Sequence, residues 1–157
     1  MRLATLFTAA LALALGAGSA QAAGHDHASA HDHHGAAAHA PAPLALDHGR
    51  KWATDAPLRQ AMTGIHDAYH KAHTAQQAKS FTPEAARATA HTVKDRIDFM
   101  VANCKLSPKA DANLHVLVAD MLGAAEALET SPTSKDGLPR LRHALERYPR
   151  YFSHPGW

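Results

Sequence analysis

The sequence predicts an all-α protein: an up-down-up-down four-helix bundle with a disordered, histidine-rich N-terminal tail. Three observations lead there. Four stretches repeat apolar residues in steps of three and four, the spacing of a helix face packed on a core. Each follows a residue suited to cap a helix N-terminus: Asp55, Thr82, Ser107 and Asp136. The connections between them are short, which favours antiparallel neighbours. No strand pattern competes.

The chain opens with an export signal, residues 1–22. Arg2 gives a positive start, Leu3 to Leu15 form the apolar run, and Ala20-Gln21-Ala22 supplies an A-x-A cleavage pattern. The run falls short of the roughly 20 apolar residues of a membrane span, and no later segment reaches that length. The expected mature protein is soluble and periplasmic. Its formal charge falls from +2 to +1 with the loss of Arg2. That balance, with scattered basic residues, argues against a nucleic-acid partner. Cys104 is the single cysteine, so an internal disulfide cannot form. The core, a ligand or self-association, such as a homodimer, must supply stability. There is no C-x-x-C-H for covalent haem attachment.

Residues 23–43 form a low-complexity tether of Ala, His and Gly that ends in Ala40-Pro41-Ala42-Pro43. Such a composition buries too little apolar surface to offset the entropy of ordering. The next segment, "LALDHGRKW", is expected to lie on the bundle through Leu44, Leu46 and Trp52. The bundle occupies residues 44–157. Helix 1 (about 56–78) carries Leu58, Met62, Ile65, Tyr69 and Ala72 on one seam. Helix 2 (about 83–104) carries Ala86, Ala90, Val93, Ile97, Met100 and Cys104. Helix 3 (about 108–129) has a wider stripe: Leu114, Leu117, Val118, Met121, Leu122, Ala125 and Leu128. Helix 4 (about 137–148) carries Leu138, Leu141, Leu145 and Tyr148, and Pro149 is expected to end it. The closing "YPRYFSHPGW" should fold back through Tyr151, Phe152 and Trp157, which are costly to leave in water.

Function is written chiefly in histidine. His25, His27, His31, His33, His34 and His39 crowd the tether, with Asp26 and Asp32 between them. Neutral imidazole is the common protein ligand for Cu(II), Zn(II) and Ni(II), and a plain spacer has no need of it. Cleavage after Ala22 would also leave Ala23-Gly24-His25 at the amino terminus. Its amine, two peptide nitrogens and imidazole make a square-planar set for Cu(II) or Ni(II).

A second group lies on helix 1. His66, His70 and His73 fall about 80°, 120° and 60° from Leu58 on the helical wheel, along the edge of the core. Neighbouring pairs can chelate across one turn, whereas His66 and His73 are roughly 10 Å apart by helix rise. A tether of this length reaches roughly 25 Å, so it could share an ion with the stripe, with His70 as pivot. Binding of neutral imidazole would weaken as pH drops through about 6.5.

Three other chemistries have partial support in the sequence. His66-Asp67-x-x-His70 resembles the helix of zinc proteases, but with Asp where Glu acts as base, and no third ligand is evident. Met62 on helix 1 with a histidine of helix 4, His143, would follow a b-type cytochrome bundle, but His143 falls on the polar side, so no haem is expected. Met62, Met100, Met121 and Cys104 would suit a soft Cu(I) site if they were not core filler. His91, His115 and His154 carry no pattern of their own. No Ser/His/Asp arrangement, paired carboxylates or phosphate loop is visible, so an enzyme is not expected.

The stretches "LDHGRKWATDAPLR", "VANCKL", "ANLHVL" and "YFSHPGW" resemble a family of small exported helical proteins of proteobacteria labelled DnrO-like. The resemblance spans Leu46 to Trp157 and implies an exported all-helical protein, with no residue roles to carry over. The expectation is thus a periplasmic metal-handling protein, with copper or zinc, or nickel, as its partner. A haem or electron-carrier bundle and a structural, partner-binding bundle are the alternatives.

Overall fold

The computed structural model describes residues 43–157. Residues 1–22, read above as an export signal, and the tether histidines from His25 to His39 lie outside the described residues. The elements run β1 (Trp52–Ala53), α1 (Ala56–Gln77), α2 (Pro83–Asn103), α3 (Pro108–Thr130), α4 (Gly137–Tyr151) and β2 (Phe152–Ser153). Each helix packs on the next in sequence, and α4 returns to α1 through a thinner contact that closes the bundle. No described helix is long and apolar enough to cross a membrane.

Three of the helices begin as their sequence demands. The side chains of Asp55, Thr82 and Ser107 accept from the N–H groups of Leu58, Ala85 and Ala110, three residues on. Pro57, Pro83 and Pro108 fall within the first two helical positions, where the missing N–H would have had no partner. The apolar seams close on one core, with Leu58, Met62, Ile65, Val93, Leu117, Met121 and Leu141 fully buried. The methionines read as possible copper ligands are among this filling: Met62, Met100 and Met121 are all buried.

Several boundaries differ from the sequence reading, each for a physical reason. Cys104 is the residue after α2 rather than part of its seam, because its extended backbone turns the chain toward α3. Asp136 makes no capping bond; its backbone is already helical, and its carboxylate accepts from the Ser134 hydroxyl instead. Leu122 is 40% exposed, because the stripe of α3 turns from Met121 to Ala124 and Ala125 and leaves it at the rim. Leu46 is also 40% exposed, whereas Leu44 and Trp52 pack as expected.

The largest departure is at the C-terminal end. Pro149 sits inside α4, which continues to Tyr151. A proline costs about 3 kcal/mol in a helix interior. Continuing the helix keeps Tyr148 and Phe152 fully buried and stacked, with ring centroids 5.4 Å apart. Burial of such side chains stabilises by about 2–3 kcal/mol each, so packing overrides the local preference. Phe152 then leaves the helix as β2 and pairs in parallel with Trp52, and Ser153 with Ala53. The sequence showed no strand pattern because two residues carry no period.

The segment before α1 and the one after α4 are anchored around this pair. The Thr54 hydroxyl donates to the Ser153 carbonyl at 2.6 Å, and the Trp52 indole N–H to the Ala45 carbonyl at 2.7 Å. The Ala45 N–H donates to the Asn113 side chain at 2.8 Å. Asp55 links the same region to the α2–α3 loop: besides capping α1, its carboxylate accepts from the Lys105 N–H at 2.6 Å. Partial burial acts to raise the Asp55 pKa, but these N–H donors outweigh it and hold it below the ordinary value of 3.8. A carboxylate of lowered pKa stabilises the fold fully above its unfolded value, and that stability is lost as pH falls through the folded one. Asp55→Ala is therefore expected to cost about 2 kcal/mol in urea unfolding at pH 7. The difference between parent and variant should shrink as the pH is lowered below about 4.

Candidate functional site

The stripe predicted on α1 lies along a groove of about 510 Å³ between α1 and α4. His66, Tyr69, His70 and His73 form one wall, Arg142, Leu145, Glu146, Pro149 and Arg150 the other, and Trp157 joins them. His66 and His73 are half-buried and His70 is exposed. Their position follows from the helix: Ile65, Tyr69 and Ala72 face the core, so residues one place on stand at its edge.

The three histidines are not equivalent. His66 Nε2 and His70 Nε2 are 3.0 Å apart and share a hydrogen bond. With both rings neutral, one nitrogen supplies the proton and the other a lone pair. His73 Nε2 instead bonds the Gln77 side-chain nitrogen at 3.1 Å, and its ring stacks on Tyr69 at 19°. His70 is thus paired with His66 and not with His73.

The C-terminal segment folds back onto the bundle, as expected from Tyr151, Phe152 and Trp157, and brings with it His154, which the sequence did not single out. His154 Nδ1 and the Tyr148 hydroxyl share a hydrogen bond of 3.2 Å. The Trp157 ring lies 4.8 Å from His66, 4.7 Å from Tyr148 and 5.1 Å from His154, centroid to centroid. This cluster depends on the helix continuing through Pro149 and on the β1–β2 pair, neither of which spacing alone could reveal.

Burial disfavours charge on these rings, and the neighbouring His70 adds to the effect on His66, so that its pKa falls despite Asp67. The pKa of His154 is lowered by burial and then by Arg59 and His66. Burial pushes the Tyr148 hydroxyl above the ordinary tyrosine range, so it stays protonated. Burial thus favours the neutral form of His66, the form of imidazole that binds metal.

The other chemistries do not assemble. Asp67, the would-be base of the protease-like pattern, lines a different groove with Lys71 and Arg96, between α1 and α2. His143 is exposed beside Asp120, Pro139 and Arg140, while Met62 is buried in the core. His91 lies 3.9 Å from Glu129, and His115 3.4 Å from Asp111, each at its own surface site. Among the described residues, no group of three or more His, Cys, Asp or Glu side chains gathers closely enough to hold a metal ion. The bundle itself offers a pair. Comparison with known protein families, curated sequences and solved structures finds no match.

Cys104 is withheld from chemistry. Burial comes first, then the nearby Asp55 charge and a hydrogen bond to it, and together they push the thiol pKa up to about 12. The thiolate, the reactive and metal-binding form, is scarce at neutral pH. Alkylation by iodoacetamide at pH 8 should run roughly a hundredfold slower than for a free thiol, and Asp55→Asn should speed it. Trp157 is 36% exposed and Trp52 only 8%. Acrylamide should therefore quench tryptophan emission in two classes, and Trp157→Phe should remove the accessible one.

Proposed function

We infer that this is an exported metal-handling protein that takes up Cu(II), Zn(II) or Ni(II) through its histidine-rich tether, with the α1 histidines as the bundle's contribution. One observation carries the reading furthest. Two imidazole nitrogens stand 3.0 Å apart at a groove wall, close enough for one ion to replace the proton they share. Neither His66 nor His70 is committed to a carboxylate, in contrast to His91 and His115, which sit beside Glu129 and Asp111. The six tether histidines add donors at a density that a spacer does not require.

Calorimetric titration with Cu(II), Zn(II) and Ni(II) tests this directly. The chain from Ala23 is compared with one that begins at Leu44. The longer chain should bind more equivalents and bind them more tightly. Equal uptake by the two forms would refute the part assigned to the tether.

A further inference from the structure

We propose that His66 and His70 form a right-angled chelate for Cu(II), a site open to incoming ligands on the groove side. The proposal deepens the metal-handling reading and rests on it. Its basis is the bite of the pair. Metal–imidazole bonds are about 2.0–2.1 Å long. Two nitrogens 3.0 Å apart then subtend an angle of about 95° at a shared ion. A tetrahedral ion holds its nitrogens roughly 3.3–3.4 Å apart. The separation is that of the hydrogen bond the two rings now share, and it is nearer to adjacent corners of a square, the arrangement that Cu(II) and Ni(II) favour, than to those of a tetrahedron. Copper also stands highest in the affinity order of divalent first-row ions.

The surroundings decide what kind of site this is. His73 is occupied with Gln77 and Tyr69, so it does not complete a third corner. The Trp157 ring covers one side of His66. The groove side is open: Glu146 lines its far wall, but no third His, Cys, Asp or Glu of the described residues stands close enough to the pair to complete a metal-holding group. Water or a donor from another segment fills the remaining corners. Two protein ligands with open adjacent corners let a second donor bind before the first leaves, as suits transfer of copper rather than storage.

The test uses the chain from Ala23 with its tether silenced by His25→Asn, His27→Asn, His31→Asn, His33→Asn, His34→Asn and His39→Asn together. Titration with Cu(II) should show one site, with the electron paramagnetic resonance spectrum of a tetragonal centre bearing nitrogen ligands. His70→Ala in that background should weaken copper binding at least tenfold, and His66→Ala likewise. His73→Ala should leave it unchanged. Ni(II) should bind more tightly than Zn(II). His70 is exposed, so its replacement should leave the melting curve intact, and that variant decides if His66→Ala folds poorly. Copper affinity unchanged by His70→Ala, or an equal loss with His73→Ala, would overturn the site. Zn(II) bound more tightly than Ni(II) would overturn the right-angled geometry. Uptake that vanishes with the tether histidines and ignores His70 removes this site but leaves the tether reading. Uptake that survives their loss and needs His70 does the reverse.

Discussion

The parallel pairing of Trp52–Ala53 with Phe152–Ser153 is the constraint on which the rest of this molecule depends. It is two residues long, and one residue of each strand, Trp52 and Phe152, is buried in the core. Its effect is positional. It holds the segment before α1 beside the segment after α4, so Tyr148 and Phe152 stay stacked in the core and α4 runs on past Pro149. His154 and Trp157 are then delivered to the face of α1 that carries His66. Without the clasp, the groove would lose its aromatic wall and α4 would have every local reason to stop at the proline.

The molecule also separates two kinds of potential metal donor. Among the described residues the soft ones, Met62, Met100, Met121 and Cys104, are core filler or masked by burial and Asp55. The imidazoles of His66, His70 and His73 line a groove open to solvent, and burial favours the neutral form of His66. A helix makes such a separation easily. Residues 100° apart in projection pass from full burial to the edge of the core within one position, as Ile65 and His66 do.

The bundle was legible because its signals are local. Caps at Asp55, Thr82 and Ser107, proline in the first turn and seams such as Leu58–Met62–Ile65–Tyr69 each act within a few residues. The His66–His70 pair was legible for the same reason, being one turn apart. The features that spacing missed are non-local. Pro149 reads as a stop until the burial of Tyr148 and Phe152 is weighed against it, and that burial exists only in the assembled fold. His154 acquires its neighbours through a pairing between residues remote in sequence, which leaves no period behind. The exposure of Leu122 was missed on a finer point. A stripe as wide as that of α3 does not say which of its edges meets a neighbouring helix.

The clasp also sets an order of events as the chain folds. Each helix finds its sequence neighbour by closing a short loop, and these steps are fast. Bringing Trp52 to Phe152 closes a loop of about a hundred residues, which costs more entropy, and its return, the burial of both side chains, depends on the core they pack against. The helices make that core, so this closure gains most once they are packed. His66 and His70 are one turn apart as soon as α1 forms, whereas Trp157 reaches His66 only when the loop is closed.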